Sequence, residues 1–435
     1  MWPNSAAILP AAFDGTGVDV VSFRQHSVEP SGGGYLYGYE VDTRDEAGVV
    51  ATVLTFVDTD PASVERSSRT VVDPASGDRV VVWAYPADPA LPALQTVTYP
   101  ESVTSILARL GLPGGSASGP VSPTAPPVLS VAAYRPGKRA VVRADVGGTT
   151  VFLKVVRPAR AEPIAAQHRA FAERGLPVPP VLAVQPDGLL VLACASGVPA
   201  GTRVTEIAEG TGFVDNLVTL AQAIAGVELP QRAQSDALDN GDWHRRSLAE
   251  SLPDAQDRID RVYDEIDRRR ATWSPDELQV VHGDLHLEQL FVDPEDPGRI
   301  TGMLDIDTAG LGHPARDAGA LIAHLVVTAQ WHRGNGDLAA ARACERIADD
   351  VVVAWTTRNP AIADRLAPTI ASQLLAHAGG QATLGTEIGR TKAEQLIEAA
   401  EGTLWPRRFE PAAAERPLSD RDPASAPTVT FTPPV

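Results

Sequence analysis

The run His282-Gly283-Asp284-Leu285-His286-Leu287-Glu288-Gln289, with Asp305-Ile306-Asp307 shortly after it, puts a lone carboxylate five positions before a side-chain amide and then adds a carboxylate pair. Phosphoryl transfer needs such a set. One Asp takes the proton of the attacking hydroxyl, an amide holds Mg²⁺, and a further Asp beyond a short hairpin holds metal against the phosphates. Leu278-Gln279-Val280-Val281 predicts a short strand into the loop and Leu290-Phe291-Val292 a strand out of it. Pro294-Glu295-Asp296-Pro297-Gly298 reads as the turn, and Ile300-Thr301-Gly302-Met303-Leu304 as the returning strand. This hairpin delivers Asp305 to the same end as Asp284, so hard oxygen ligands converge where Mg²⁺ would bridge phosphates. Asp307 is open to two roles, a further metal ligand or a local structural one.

His282 and His286 sit four apart, as zinc-binding histidines on a helix do. Gly283 stands where a helical HExxH site has its Glu, and Gly disfavours that helix, so the pair does not read as zinc ligands. His286 is expected to be a structural loop residue whose ring bonds the backbone near Asp305.

With Leu304-Asp305-Ile306-Asp307-Thr308-Ala309-Gly310-Leu311-Gly312-His313-Pro314-Ala315-Arg316-Asp317 added, the segment resembles the aminoglycoside phosphotransferase family, whose fold is similar to that of protein kinases. The resemblance runs from about Val128 to about Trp405. It implies Asp284 as catalytic base, Gln289 and Asp305 as metal ligands, and Asp317 as an anchor for the catalytic segment. Most members have Asn at the place of Gln289; Gln is similar to the maltokinase and bacterial glucosamine-kinase branches. The longer side chain still offers a carbonyl oxygen to a metal.

A nucleotide-dependent enzyme of this kind also needs a strand lysine for the α- and β-phosphates. Val151-Phe152-Leu153-Lys154 supplies it and resembles the V-A-I-K strand motif. Ala140 to Val146 and the Gly147-Gly148 turn before it read as a hairpin. Tyr134-Arg135-Pro136-Gly137-Lys138-Arg139 reads as a tight basic turn that covers phosphates with backbone N–H groups and positive charge, which makes Arg139 a nucleotide-binding candidate. The acidic partner of Lys154 is sought on a helix over Glu162 to Arg174, where Glu162 lies in the first turn and Gln167-His168 near the place where related sequences often carry Glu. Gly188 to Cys194 is a buried-strand run. By resemblance, the backbone around Ala193 to Ala195 is the hinge that reads adenine.

A formal charge of −18 argues against nucleic acid or an anionic membrane as partner, because both would be repelled. No apolar run reaches transmembrane length, and Met1-Trp2-Pro3-Asn4 lacks the positive start of a signal peptide. The two cysteines, Cys194 and Cys344, form no metal or disulfide framework. The expected location is the cytoplasm.

Val18 to Val28, Tyr35 to Asp42, Val49 to Val57 and Arg79 to Tyr85 read as strands of a small antiparallel sheet, which a helix over Val103 to Leu110 is expected to close. Beyond the hinge the pattern turns helical: Phe213 to Val227, Ala255 to Arg270, Ala315 to Trp331, Leu338 to Asn359 and Lys392 to Leu404. Trp243, Trp331, Trp355 and Trp405 are either core residues or a sugar platform, with core the commoner use of aromatics at helical spacing. Glu387, Glu394, Glu398 and Glu401 form an acidic face that is either merely solvated or attractive to a cationic amine.

The sequence therefore predicts an α+β, bilobal, protein-kinase-like fold with an added N-terminal β-rich domain. The expected division is 1–112 for that domain, 113–127 for a Pro/Gly/Ser linker, 128–195 for the N-lobe, 196–409 for the helical C-lobe and 410–435 for a disordered tail. The expected activity is transfer of the γ-phosphoryl group of Mg-ATP, with GTP open, to a hydroxyl of a sugar or amino sugar. Asp284 is the base; Gln289, Asp305 and Asp307 are the metal candidates; Lys154, Arg139, Ala193 and Ala195 are the nucleotide candidates. An aminoglycoside-type antibiotic phosphotransferase, a nucleotide-binding pseudokinase scaffold and a metal-dependent hydrolase are the rival readings.

Overall fold

The computed structural model describes residues 4–66, 70–73, 76–111, 126–273 and 278–405. Most of the expected linker and all of the expected tail lie outside these residues.

Two five-stranded antiparallel sheets come first. The first runs, in spatial order, Val18–Ser31, Gly34–Asp45, Val50–Asp58, Arg79–Ala84 and Thr70–Val72. Its side chains alternate with the period of two that a strand imposes. Tyr39, Val41, Val57, Val80 and Val82 face the helix Ser5–Phe13, which buries Ile8 and Leu9 on them. Leu36, Phe56, Val81 and Trp83 face the other way, toward Tyr134 of the second sheet. There the Phe56 ring meets Tyr134 edge-on at 5.6 Å, and Trp83 Nε1 donates to the Tyr134 hydroxyl at 3.2 Å.

The second sheet runs Val128–Arg135, Arg139–Val146, Thr149–Val156, Leu189–Ala193 and Val181–Val184. Leu153, Val155, Leu189 and Val191 belong to one face, and Val156, Leu190 and Leu192 to the face that packs on the helix Pro158–Glu173. Lys154 is opposite Leu190 in the register, so the alternation turns it to that helix and to the cleft below. The helix expected over Val103 to Leu110 is present as Pro100–Arg109, but it closes the second sheet and not the first. Its Val103, Ile106 and Leu107 cover Ala140, Val142 and Ala144, an apolar strip that would otherwise lie in water.

The remaining described residues form a helical lobe around short hairpins. Gln279–Val281 pairs with Gly310–Gly312, and Leu290–Val292 with Ile300–Met303, all antiparallel. Leu285, Leu287, Leu290 and Val292 sink into the same core as the helices Phe213–Ala225, Gln256–Arg270, Ala315–Gly334, Leu338–Arg358, Ala363–Ala382 and Glu387–Leu404. The 282–289 loop is thus pinned by its own leucines, and its polar residues are left on the cleft side. No helix among the described residues is long and apolar enough to cross a membrane.

Candidate active site

Gly283 begins the loop at φ +89°, and a Cβ there would lie 2.7 Å from Thr308 O, so the turn admits glycine alone. Asp317, 3% exposed in the first turn of Ala315–Gly334, accepts the backbone N–H groups of His282 and Gly283, each at 2.8 Å. The His282 ring donates from Nε2 to Leu304 O at 2.8 Å, and Thr308 Oγ1 donates to His282 O at 2.9 Å. These bonds stitch residues 282–284 to 304–308 and bring Asp284 and Asp305 to one place.

The ring that ties the loop to the backbone before Asp305 is therefore that of His282, not His286. His286 Nδ1 meets Glu288 Oε2 at 2.8 Å, and its ring stacks on His324 with centroids 4.3 Å apart. His377 meets His324 edge-on at 4.5 Å. Burial, with the neighbouring His377 and His286, pushes His324 down to about 3, so its imidazole is neutral at physiological pH.

Gln289 lies beside Asp284, its Nε2 3.5 Å from Asp284 Oδ2. Asp305 has φ +56°, the one positive value among the described non-glycine residues, a left-handed conformation that costs an L-residue roughly 1–2 kcal/mol. It accepts from Arg139 Nη1 at 2.8 Å and lies 3.6 Å from Lys154 Nζ. Lys154 is 5% exposed and is closest to Asp307, at 2.6 Å. Burial alone would raise the Asp305 carboxyl; the Lys154 ammonium and the Arg139 guanidinium outweigh it and hold the group below the usual carboxylate range.

Gln289 Oε1 and Asp307 Oδ1 are buried acceptors with no hydrogen-bond donor. Buried acceptors are rarely left unpaired. Together with the Asp305 carboxylate they make an all-oxygen donor set that suits Mg²⁺.

The partner of Lys154 does not come from the helix after it. Glu162 is an exposed residue paired with Arg169. Gln167 Nε2 donates to Ala309 O at 3.1 Å, and His168 Nδ1 meets Pro179 O at 3.0 Å. Asp307 holds the lysine instead, through Oδ2, with Oδ1 left over.

The basic turn is also differently employed. Gly137, at φ +69°, donates its N–H to Asp88 Oδ2 at 2.7 Å, and its carbonyl accepts from Arg157 Nε at 2.7 Å. That N–H is thus already committed and not free to cover a phosphate. Asp88, 3% exposed, also accepts from the Tyr134 hydroxyl at 3.0 Å. A buried carboxylate in the loop after the first sheet thereby fixes the turn that aims Arg139 at Asp305. At the hinge, Ala193 N–H is donated to Pro180 O at 3.0 Å, while Ala195 sits beside the strand Ile300–Met303, where Thr301 Oγ1 donates to Ser196 O at 2.8 Å.

A cavity of about 320 Å³ opens onto Asp284 and Asp305. Sequence reasoning missed much of its lining: Gln234, Asp236, Asn240 and His244 from the segment around the helix Gly241–Ser251, and Gln373 from Ala363–Ala382. Asp236 is neutralised by Arg316 at 3.3 Å, and burial lowers His244 so that it is uncharged at neutral pH. The tryptophans do not line it: Trp355 is core, whereas Trp243, Trp331 and Trp405 are exposed on the surface. Glu387, Glu394, Glu398 and Glu401 do not line it either, and Glu401 is held by Arg258 at 2.7 Å.

The chain is similar in structure to a thermostable mutant of the aminoglycoside phosphotransferase APH(4)-Ia in ternary complex with ADP and hygromycin B, at 15% identity over 69% of this chain and 97% of that one, with a TM-score of 0.47. It is similar also to macrolide 2'-phosphotransferase type I (20% identity, 72% of this chain and 97% of that one, TM-score 0.41). A third likeness is to the aminoglycoside phosphotransferase APH(3'')-Id from Streptomyces rimosus ATCC10970 (20%, 56% and 92%, TM-score 0.38). Among curated proteins there is no match. The profile of the phosphotransferase enzyme family matches residues 137–355, just over half of the 435-residue chain and the part that carries Lys154, the catalytic hairpins and Asp317. The chain belongs to the phosphotransferase enzyme family.

Proposed function

We propose that this phosphotransferase moves the γ-phosphoryl group of Mg-ATP, or of GTP, to a hydroxyl of a sugar or amino sugar. The observation that carries the reading is the convergence of Asp284 and Asp305 on one cavity, with Arg139 and Lys154 gathered on the second of them. Asp284 accepts the proton of the acceptor hydroxyl as its oxygen bonds to phosphorus and the bond to the leaving nucleoside diphosphate breaks. Gln289 and Asp305 would hold Mg²⁺, with Asp307 as a secondary ligand, and the ion when bound offsets charge on the phosphates. Lys154 and Arg139, which lie against Asp305 and Asp307, would reach the phosphate oxygens. Adenine would rest on backbone between Ala193 and Ala195, using groups other than the Ala193 N–H. For the chain as a whole we keep an N-terminal β-rich unit and a kinase-like bilobal unit, with residues 91–107 going by packing with the second sheet.

The acceptor class is supported by the walls of the cavity. Gln234, Asn240 and Gln373 are neutral, His244 is uncharged, and of the carboxylates Asp236 is paired with Arg316 and Asp305 with Arg139. Hydroxyls find donors and acceptors there, whereas a polycation would find few free carboxylates. At fixed Mg-ATP, kcat/KM for glucosamine, glucose or maltose should exceed that for kanamycin by at least about tenfold, a difference of roughly 1.4 kcal/mol. A clear preference for kanamycin would move the acceptor to the aminoglycosides and leave the kinase reading intact.

The turn held by Asp88 gives a second expectation. Asp88→Ala removes a charge-assisted bond worth about 1.5–3 kcal/mol. KM for Mg-ATP should rise roughly tenfold with kcat within about twofold, because the turn positions Arg139 without touching the hydroxyl. Initial rates over a nucleotide series measure this, and an unchanged KM would mean that the turn keeps its shape unaided.

A further inference from the structure

The hairpin that aims Arg139 at Asp305 carries a second arginine, Arg135, which no step above employs. We infer that Arg135 is a catalytic residue whose guanidinium clamps the γ-phosphoryl group during transfer, a role that rests on the nucleotide-dependent reaction proposed above. Arg135 and Arg139 stand directly opposite each other in the register of Val128–Arg135 and Arg139–Val146. Opposed residues of an antiparallel pair put their side chains on the same face, roughly 5 Å apart at Cβ, and like charges so placed repel. One carboxylate answers the two charges: Asp305 takes Arg139 at 2.8 Å. Arg135 is exposed, and its side chain makes no hydrogen bond or ion pair among the described residues. Arg139 Nε is a buried donor that lacks an acceptor as well. The other cations at the turn are committed, Lys138 to Glu29 at 3.3 Å and Arg157 Nε to the Gly137 carbonyl at 2.7 Å. Two like charges on one face, with donors to spare, fit an anion that bridges them.

The cavity identifies that anion. Arg135 and Arg139 line it together with Asp284 and Asp305, whereas Lys154, Ala193 and Ala195 do not. The two guanidinium groups therefore look at the end of the nucleotide where transfer takes place, and not at adenine or the phosphates nearer to it. Asp236, a further carboxylate of the cavity, is already taken by Arg316 at 3.3 Å. As the acceptor oxygen bonds to phosphorus its proton passes to Asp284. The electron pair of the breaking bond leaves with the ADP oxygen, and charge spreads over the three remaining oxygens of the phosphoryl group. A planar guanidinium donates two parallel N–H bonds to two of those oxygens, which an ammonium cannot do. The strand pairing fixes the Arg135 backbone beforehand, so only its side chain is ordered when the nucleotide arrives.

Calorimetric titration of Mg-AMP-PNP and of Mg-ADP into the full-length protein, alongside steady-state turnover, tests the clamp in wild type, Arg135→Ala and Arg135→Lys. In Arg135→Ala, AMP-PNP affinity should fall at least about tenfold with ADP affinity within about twofold, and kcat at saturating nucleotide and acceptor should fall at least about a hundredfold, the usual scale for losing one donor to transition-state charge. Arg135→Lys restores the charge without the fork and should leave kcat at least about tenfold below wild type. The melting temperature of nucleotide-free Arg135→Ala should equal or exceed that of wild type, because one of two opposed like charges is removed, so lost activity is not lost fold. Equal losses for AMP-PNP and ADP would move Arg135 to the α- and β-phosphates, a change confined to the acceptor KM would move it to an anionic acceptor, and unchanged kcat would leave it a surface residue. Each of these overturns the clamp. The binding arm uses no acceptor, so a wrong acceptor class leaves it intact, whereas wild type that binds neither nucleotide would refute the reading on which the clamp rests.

Discussion

Asp284→Asn should leave Mg-nucleotide affinity within about twofold and lower kcat by roughly 10² to 10⁴, the usual cost of losing a general base. The substitution keeps the shape of the side chain and its place beside Gln289, 3.5 Å away, so the loop that Asp317 holds is not disturbed. What it removes is the ability to take a proton. Nucleotide binding by calorimetry and turnover with an identified acceptor are both needed, because a variant that lost both together would point to a collapsed loop. Unchanged kcat would remove Asp284 from the mechanism.

The two carboxylates of the second hairpin should separate by what each loses. Asp305 lies at the cavity and Asp307 behind it, against the buried Lys154. Asp305→Ala should weaken Mg-nucleotide binding about a hundredfold or more, within the roughly 2–5 kcal/mol lost when one member of a hydrogen-bonded charge pair is truncated. Asp307→Ala should act first on stability. Its cost should fall at the low end of the roughly 3–5 kcal/mol of a broken buried pair, since Asp305 Oδ1 stays 3.6 Å from Lys154 Nζ. Calorimetry with a nonhydrolysable nucleotide and a denaturant titration of each variant measure the two quantities. Equal losses of binding would mean that the carboxylates hold metal as a pair, and a larger loss at Asp307 would reverse the assignment.

What was legible in the sequence were features with a local signal. The two hairpins announce themselves through short apolar runs and a Pro-Gly turn, and Ile300–Met303 brings Asp305 to Asp284 as that pattern implies. Lys154 was legible because Val151-Phe152-Leu153-Lys154 reads as a strand with a hairpin turn before it and a helix after it. The helix Ala363–Ala382 was not, because Pro368 stands inside it and Gly379-Gly380 near its end lower its intrinsic propensity. Packing against its neighbours outweighs those residues, and Gln373 and His377 reach the site on its face. The helix Ser5–Phe13 was hidden in the same way by Pro10.

Contacts across long separations left no local trace at all. Asp88 sits in Pro86-Ala87-Asp88-Pro89, which reads as an ordinary loop, and only the docking of the first sheet on Tyr134 carries it to Gly137. His324 belongs to a helix that was expected, yet its meeting with His286 and His377 follows from the packing of three elements. The choice between Glu162 and Asp307 as partner of Lys154 was of the same kind: the helix supplies Gln167 and His168 at its buried positions, and the carboxylate arrives from the far hairpin.

The claim on which the rest depends is that phosphate goes from a nucleotide to a hydroxyl of a small molecule and not to water. Incubation of wild type with Mg-ATP and a panel of sugars, amino sugars and aminoglycosides, read by mass spectrometry, tests it directly. An acceptor should gain the mass of one phosphoryl group in step with ADP formation, a gain that Asp284→Asn slows by at least about a hundredfold. Release of inorganic phosphate at the same rate with and without every acceptor, with no acceptor gaining mass, would contradict it.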